Sequence, residues 1–349
     1  MLSKVACRRD AHDRTMRVTV STGARVHVGF GNLSLAHERL YGGVGLALAE
    51  PRVRLSATAA ESLRCRGDGD VPAESVDVVR DYADTVCDLL DVPGAEVHVE
   101  RALPRHAGLG SGTATALTTL AAIARAHDRE VRPCERAPAL GRGGRSGVGV
   151  AAFERGGFVV DAGHPTERFT TRPPPQGEWS VPAVLARHAL PSTWRVVLAL
   201  PDVERGRHGA DEDESIRTVV ESADPSVADD LAALIVRKLL PAAAEGRLEA
   251  FGDAVAEFGR LNGAWYADEQ GGVYRPPAGQ VIGELRESPP IAGVGQSSWG
   301  PAVYALTDTD RVDAARRAAR EALDAAGSDG DVLVTRPRNE GATVAVESD

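Results

Sequence analysis

Aromatic residues are scarce in this chain: six Phe, five Tyr and four Trp among 349 residues. That scarcity excludes a base-stacking platform for single-stranded nucleic acid and leaves Ala, Val and Leu to build the core. Lysine is scarcer still, present as Lys4 and Lys238, so nearly every cation is an arginine, and the formal net charge is −10. Such a balance excludes the broad cationic footprint that nucleic acid or anionic lipid requires. No nucleic-acid or membrane partner is expected; small molecules are. An acidic, lysine-poor, alanine-rich surface is what a salt-adapted cytosol favours. The four cysteines, Cys7, Cys65, Cys87 and Cys134, contain no C-x-x-C pair, which removes both a zinc site and a disulfide framework and fits a reducing cytoplasm. No apolar run approaches the roughly 20 residues of a membrane span, and none follows the polar Met1–Thr15 stretch, so a soluble, non-exported, cytoplasmic protein is expected.

At this length the chain exceeds one ordinary core, and two domains are expected. Residues 1–15 read as a loose arm, 16–172 as a first domain, the proline-rich 173–193 as a linker and 194–349 as a second domain. In the first, β-like alternation from Met16 to Val28 passes a turn at Gly23, and Tyr41–Leu48 and Arg52–Ala57 read as strands separated by glycine turns. A helix is expected over Glu74–Leu90, from Val78, Val79, Tyr82, Val86 and Leu89 at helical spacing, and a strand over Ala95–Glu100. In the second, Trp194–Leu200 is strand-like, Ser226–Asp229 has capping-box spacing that opens a helix to Leu240, and a further helix follows from Leu248 to Leu261. Ala302–Ala305 and Val332–Val334 read as strands flanking a helix from Arg311 to Ala325.

The strongest chemical signal is Pro104-x-x-x-Gly108-Leu109-Gly110-Ser111-Gly112-Thr113-Ala114, set between a strand and an alanine-rich helix. A backbone that wraps phosphate oxygens needs residues that take positive φ and approach without a Cβ. The following helix adds unpaired N–H groups and the positive end of its dipole, while Ser111 and Thr113 offer hydroxyls to the phosphate or to magnesium. The P-loop pattern is absent, because no Gly-Lys-Ser/Thr occurs.

This loop resembles the P-x-x-x-G-L-G-S-S-x-A signature of the superfamily named for galactose, homoserine, mevalonate and phosphomevalonate kinases. With Arg25-Val-His27-Val-Gly-Phe, Tyr41-Gly-Gly-Val-Gly-Leu-Ala, Gly141-Arg142-Gly-Gly-Arg145-Ser146-Gly-Val-Gly149, Gly156-Gly-Phe-Val-Val-Asp161-Ala-Gly and Gly295-Gln296-Ser297-Ser298-Trp299-Gly-Pro, the chain resembles, within it, the β-ribofuranosylaminobenzene 5′-phosphate synthases. The likeness runs from about Met16 to Val344. It implies an α+β fold in two parts: an N-terminal domain of the ribosomal protein S5 domain 2 type and a ferredoxin-like C-terminal domain, with the site between them. It also implies an archaeal-type enzyme of tetrahydromethanopterin synthesis. Such enzymes join the ribose 5-phosphate of phosphoribosyl pyrophosphate to the ring carbon of 4-aminobenzoate or 4-hydroxybenzoate, releasing carbon dioxide and pyrophosphate with magnesium assisting. An ATP-dependent small-molecule kinase, or a phosphate-ligand binder without catalysis, is the alternative, and a homodimer is left open. Many superfamily kinases carry S-G-[IV]-D, whose aspartate serves the attacking hydroxyl; here Ser146-Gly-Val-Gly149 replaces that carboxylate by glycine.

For the anionic groups of such substrates, Arg25, Arg105, Arg142 and Arg145 are the candidate cations, since guanidinium groups bind oxygens in pairs. His27 and His106 are candidates to protonate the leaving pyrophosphate or to hydrogen-bond the 4-substituent, with a satisfied core histidine as the other reading. Asp161 is the candidate magnesium or ribose ligand, or else a turn residue. Ser146 belongs to the candidate binding set. Gln296, Ser297, Ser298 and Trp299 form an expected active-site wall, with Trp299 against the ring. His208 with Asp211, Glu212, Asp213 and Glu214 reads as an exposed acidic loop rather than a metal cluster. One departure is Ala114, where a glutamine commonly follows the Gly-Ser-Gly-Thr run.

Overall fold

In the computed structural model, residues 16–168, 175–203 and 210–348 are described. The expected loose arm, Pro173, Pro174 and His208 therefore lie outside the described residues. The chain begins with two long strands, β1 (Met16–Asn32) and β2 (Arg39–Ala59), then β3 (Arg64–Gly67), α1 (Ala73–Leu90) and β4 (Ala95–Arg101). Next come α2 (Ser111–Ala126), α3 (Pro133–Arg136), α4 (Val148–Arg155), β5 (Phe158–Asp161), β6 (His164–Pro165) and β7 (Val184–His188). The second half contains β8 (Trp194–Pro201), α5 (Ala210–Ser222), α6 (Pro225–Leu234), α7 (Leu240–Glu245), α8 (Leu248–Trp265), α9 (Ala267–Gln270) and α10 (Ala278–Arg286). It closes with β9 (Gly293–Gln296), β10 (Val303–Asp308), α11 (Val312–Ala325), β11 (Gly330–Thr335) and β12 (Thr343–Ser348). Among the described residues no helix is long and apolar enough to cross a membrane.

The first sheet runs β12-β1-β2-β4-β3, with β5 and β6 also on β2 and β7 on β5. The glycines read as turns do not break the strands. Register shifts at Gly23/Arg25 and His27/Gly29 absorb them as bulges, which leave β1 and β2 continuous and re-aim the intervening side chains. The stretch expected as a linker carries β7, whose Phe158↔His188 pairing extends this sheet past residue 172. The sheet also recruits β12 from the far end of the sequence, Met16 pairing with Ser348. Helices α1 and α2 cover it, burying Val79, Val86, Leu117, Leu120 and Ile123 with Val18, Val20 and Leu55.

The second sheet, β11-β8-β10-β9, is antiparallel throughout. With β8, the intervening helices, β9, β10, α11 and β11 in that order, it is the expected ferredoxin-like arrangement. The α6 helix opens at Asp224, whose side chain accepts the Ser226 N–H; the cap lies two residues before the one expected. Five residues of π-helix, Ile235–Leu239, then join α6 to α7.

Among the described residues two apolar clusters cross between the halves. The smaller brings Leu33 and Leu40 against Ile216, Val219, Tyr266 and Trp299. In the larger, Val26, Leu46 and Phe158 of the first sheet are buried with Leu198, Tyr304, Leu231, Phe251 and Phe258 of the second half. Strand β1 meets α2 from its own half and α6 and α8 from the other. That double cover explains why β1 is buried almost continuously rather than on alternate residues.

Candidate active site

The phosphate-type loop links β4 to α2. Gly108 and Gly110 take φ of 83° and 76°, the left-handed region that glycine enters freely. A Cβ on Gly108 would stand 2.2 Å from the Ser297 carbonyl oxygen, and one on Gly110 would stand 2.8 Å from Arg25 Cγ. Both glycines are thus required by conformation and by crowding. Leu109, read as a binding residue, is 1 % exposed in the inter-domain core; what it offers is its carbonyl oxygen, which accepts the Arg25 N–H at 3.0 Å.

Two neighbouring cavities meet at this loop. The smaller, of about 640 Å³, is lined by Gly108, Gly110, Ser111, Gly112, Thr113, Arg105 and His106. The larger, of about 1300 Å³, holds His27, Gly144, Arg145, Ser146 and Gln296, together with residues of α5 and α8. Arg25, Thr113, Arg142, Ser298 and Trp299 line both. In a chain so poor in aromatics, Phe30, Tyr41, Trp179, Tyr266, Tyr274 and Trp299 all line the larger cavity. Neighbouring rings on its wall form a row: His27 to Phe30 at 4.9 Å, Phe30 to Tyr41 at 5.4 Å and Tyr41 to His164 at 6.5 Å between centroids. Tyr266 meets Trp299 edge-on at 4.8 Å.

Two families of GHMP kinases, the N terminal domain over residues 75–157 and the C terminal domain over 239–325, match the chain. Among curated proteins, the β-ribofuranosylphenol 5′-phosphate synthase of Methanothermobacter thermautotrophicus is 32 % identical, over 94 % of this chain and 98 % of its own length. The synthase of the same name from Archaeoglobus fulgidus is 31 % identical over 93 % and 98 %. The chain belongs to this family of synthases. Solved structures support the fold alone. L. major mevalonate kinase superposes with a TM-score of 0.66 at 14 % identity, covering 91 % of this chain and 96 % of its own. Homoserine kinase from Cytophaga hutchinsonii gives 0.63 at 16 % identity, covering 99 % and 100 %.

In this member of the synthase family the expected arginines divide by position. Arg25 donates from Nη1 to the Gly108 carbonyl at 3.0 Å, bracing the loop from β1. Arg142 lies over the first turn of α2, where a Cβ on Gly112 would come within 2.7 Å of its Nη1. The Tyr82 hydroxyl of α1 holds Arg142 Nη2, its guanidinium stands 5.4 Å from the Tyr82 ring centroid, and the Trp179 indole N–H donates to its carbonyl at 3.0 Å. Its Nε is buried without a hydrogen-bond partner among the described residues. Arg145 faces the larger cavity and is ion-paired with Asp213 of α5. Arg105 lies 3.6 Å from Glu74.

Several expectations are corrected by geometry. Asp161 is 1 % exposed and lines neither cavity. Its Oδ2 accepts the Gly147 N–H at 2.7 Å and the Ser146 hydroxyl at 3.0 Å, and its Oδ1 accepts the Gly163 N–H at 2.9 Å. Burial pushes its carboxyl up, against the pull of those donors and of the Gly43 N–H. The residue is a clamp beneath the Arg145–Ser146 loop, with both oxygens engaged, rather than a metal ligand. Ser297, fully buried, donates to the Gly108 carbonyl at 2.7 Å and accepts the His27 N–H at 3.1 Å, stitching the β9–β10 loop to the phosphate loop and to β1. Gln296 lines the larger cavity, but its amide is committed to the Arg275 N–H at 2.8 Å and the Ser298 carbonyl at 2.9 Å. Asp213 and Glu214 lie on a helix, α5, rather than in a loop, and both line the larger cavity; Glu214 is exposed as expected, whereas Asp213 is half-buried.

His27 is 5 % exposed, and its Nε2 has no hydrogen-bond partner among the described residues. Burial, helped by the Arg25 charge, holds its pKa down at about 3, so the ring is neutral at ordinary pH. A neutral ring is not an acid for the leaving pyrophosphate; it accepts or shares a hydrogen bond. His106 takes φ of 57° in the loop and lines the smaller cavity.

Among the described residues no cluster of three or more His, Cys, Asp or Glu could hold a metal, and no Asp or Glu lines the smaller cavity. Its donors are the Ser111 and Thr113 hydroxyls and backbone groups. Magnesium usually takes one or two protein carboxylates besides phosphate oxygens, so this cavity does not fit a resident ion. The residues that the sequence did not single out are Tyr82, Trp179, Tyr266 and Asn262, whose amide donates to the Phe30 carbonyl at 2.8 Å on the wall of the larger cavity. Each comes from a segment far from any motif, and only Tyr82 carried a signal, as one position in a helical stripe.

Proposed function

We propose that the protein transfers ribose 5-phosphate from phosphoribosyl pyrophosphate to the carboxylate-bearing ring carbon of a 4-hydroxybenzoate or 4-aminobenzoate, releasing pyrophosphate and carbon dioxide. One observation carries this reading: an anion cradle opens, through shared Arg25, Thr113, Arg142, Ser298 and Trp299, onto a cavity where an aromatic-poor chain concentrates its rings. The names of the curated relatives agree with a ribosylated phenol as product.

In this scheme the diphosphate occupies the smaller cavity, held by the loop amides, the α2 N-terminus and Arg142. These donors stabilise the charge that grows as the C1–O bond breaks. The sugar C1 lies at the shared wall, and the benzoate ring lies against the aromatic residues of the larger cavity, with Arg145 near its carboxylate. Attack by the ring carbon precedes loss of carbon dioxide, which restores aromaticity. Magnesium enters as the counterion of the pyrophosphate substrate. The kinase alternative finds less support, because Gly149 replaces the carboxylate of the S-G-[IV]-D pattern and packs on Thr113, 3.1 Å from a Cβ built there.

The test incubates the protein and magnesium with phosphoribosyl pyrophosphate and each benzoate, and separately with ATP and mevalonate, homoserine or galactose. Pyrophosphate and carbon dioxide released together from the first set are expected. Robust ADP formation from the second, with no carbon dioxide from the first, would overturn the reading.

A further inference from the structure

The row of rings along the larger cavity ends at a group with no task in the scheme above. His27 Nε2 is buried, belongs to a residue of the cavity wall and has no hydrogen-bond partner among the described residues. Leaving a buried ring nitrogen unpaired is destabilising, and a ligand atom that pairs with it relieves that penalty. The backbone of His27 is fixed independently of its ring: its N–H reaches Ser297 Oγ at 3.1 Å, and its carbonyl accepts the Ser298 N–H at 2.9 Å. The Phe30 ring stands edge-on to the imidazole at 4.9 Å, so the ring is held both from the strand and from its flank. The other titratable groups that line this cavity include Arg25 on β1, Tyr41 on β2, Arg142 and Arg145 before α4, His164 on β6, Arg168, Glu178, then Asp213, Glu214 and Arg217 on α5, and Tyr266 and Tyr274. Arg145 and Asp213 neutralise one another as an ion pair.

Resting on the proposed reaction, we infer that His27 Nε2 is the proton acceptor for the acceptor's 4-hydroxyl, taking its proton as the carbon–carbon bond forms and returning it as carbon dioxide leaves. The bookkeeping of the step is closed. When the carboxylate-bearing carbon bonds to C1 and pyrophosphate departs with the C1–O pair, electron density drawn from the 4-oxygen makes that oxygen cationic and strongly acidic. Its proton passes to Nε2, giving a neutral cyclohexadienone and an imidazolium. Breakage of the carbon–carboxylate bond returns a pair to the ring, the 4-oxygen becomes a phenolate, and the imidazolium gives the proton back. No outside acid, base or oxidant is needed.

A weakly basic imidazole suits this task. A free phenol, with a pKa of about 10, is not ionised by it in the ground state. The proton moves only when bond formation has acidified the hydroxyl, so the interaction strengthens in the transition state, as catalysis requires. A 4-amino group, which also carries a removable proton once its nitrogen becomes an iminium, follows the same course.

The experiment compares wild type with His27→Gln, which keeps a polar side chain but accepts no proton, measuring pyrophosphate release with 4-hydroxybenzoate from pH 6 to 9. The variant should lose on the order of 10²–10⁴-fold in kcat at pH 7, with the KM for phosphoribosyl pyrophosphate little changed. Its deficit should shrink about tenfold per pH unit as the phenol ionises by itself. It should also shrink with 3-fluoro-4-hydroxybenzoate, whose hydroxyl is more acidic. A deficit constant across pH and across both acceptors would reduce His27 to packing and overturn the inference while leaving the reaction intact. Wild type inert with every benzoate would instead overturn the reaction, and the inference with it. A measurement free of mutation is the ¹⁵N resonance of His27 Nε2 in wild type. It should move when 4-hydroxybenzoate saturates the protein and stay in place with benzoate; no movement with either would also overturn the assignment.

Discussion

At the scale of single residues, the site is built from groups whose environment sets their chemistry. The folded state holds the His27 pKa near 3, whereas the free ring has its ordinary value of 6.5. The unfolded chain therefore binds a proton that the native protein refuses, and stability falls as pH drops from 6.5 towards 3, by up to about 1.4 kcal/mol per pH unit. His27→Gln should flatten that part of the stability–pH curve in chemical denaturation, and an unchanged slope would contradict the burial argument. Arg142→Ala should raise the KM for phosphoribosyl pyrophosphate, each lost charge-assisted contact costing roughly 1.5–3 kcal/mol. Lysine should restore little, since one ammonium cannot reach the Tyr82 hydroxyl and the phosphate oxygens together as the guanidinium fork can; full rescue by lysine would reduce Arg142 to a point charge. Gly108 and Gly110 were legible in the sequence because positive φ has a residue-type signature. Asp161 and Ser297 were legible as polar residues in motifs, but not as clamps. Their partners, Ser146 and Gly163 for one and Gly108 and His27 for the other, meet them only in the folded chain.

Among the elements, α2 and α4 decide how much room the phosphate has. Gly149 of α4 packs on Thr113 of α2, and a Cβ would lie 3.1–3.3 Å from three Thr113 atoms. Gly149→Asp should push Thr113 towards the cavities that it lines and bring a negative charge near the diphosphate. Pyrophosphate release is expected to fall without any ATP-dependent phosphorylation of mevalonate, homoserine or galactose appearing; a gain of that activity would mean that one carboxylate separates the two chemistries. The longer helices α1 and α8 were readable from apolar spacing, α1 beginning one residue before its expected start and α8 running four residues past its expected end, whereas α4 and α10 were not foreseen. The strand breaks were misplaced because glycine marks a bulge and a turn alike, and only the partner strand tells them apart. The wall formed by α5 was hidden for another reason: an acidic stretch has the same composition whether it faces water or pairs with an arginine such as Arg145.

For the molecule as a whole, the cluster that holds Phe158, Trp194 and Phe251 joins the halves. The Phe251 ring lies 5.1 Å from both the Phe158 and Trp194 rings. Phe251→Ala should cost about 3–5 kcal/mol and lower one shared unfolding transition followed by fluorescence and by circular dichroism. Two separated transitions in the wild type would show that the halves fold independently. The two-part division was legible from length and motif order, whereas the shared core was not, because no local pattern says which apolar face meets which. The pairing of Met16 with Ser348 across β1 and β12 sets a timetable for the newborn chain. Its first strand leaves the ribosome some 330 residues ahead of its outer neighbour, a delay of roughly 15–70 s at ordinary translation rates of about 5–20 residues per second. During that interval the edge of β1 is an open template for strands of other chains. The nascent protein is then a natural client for chaperones, and slowing its translation should increase aggregation rather than relieve it.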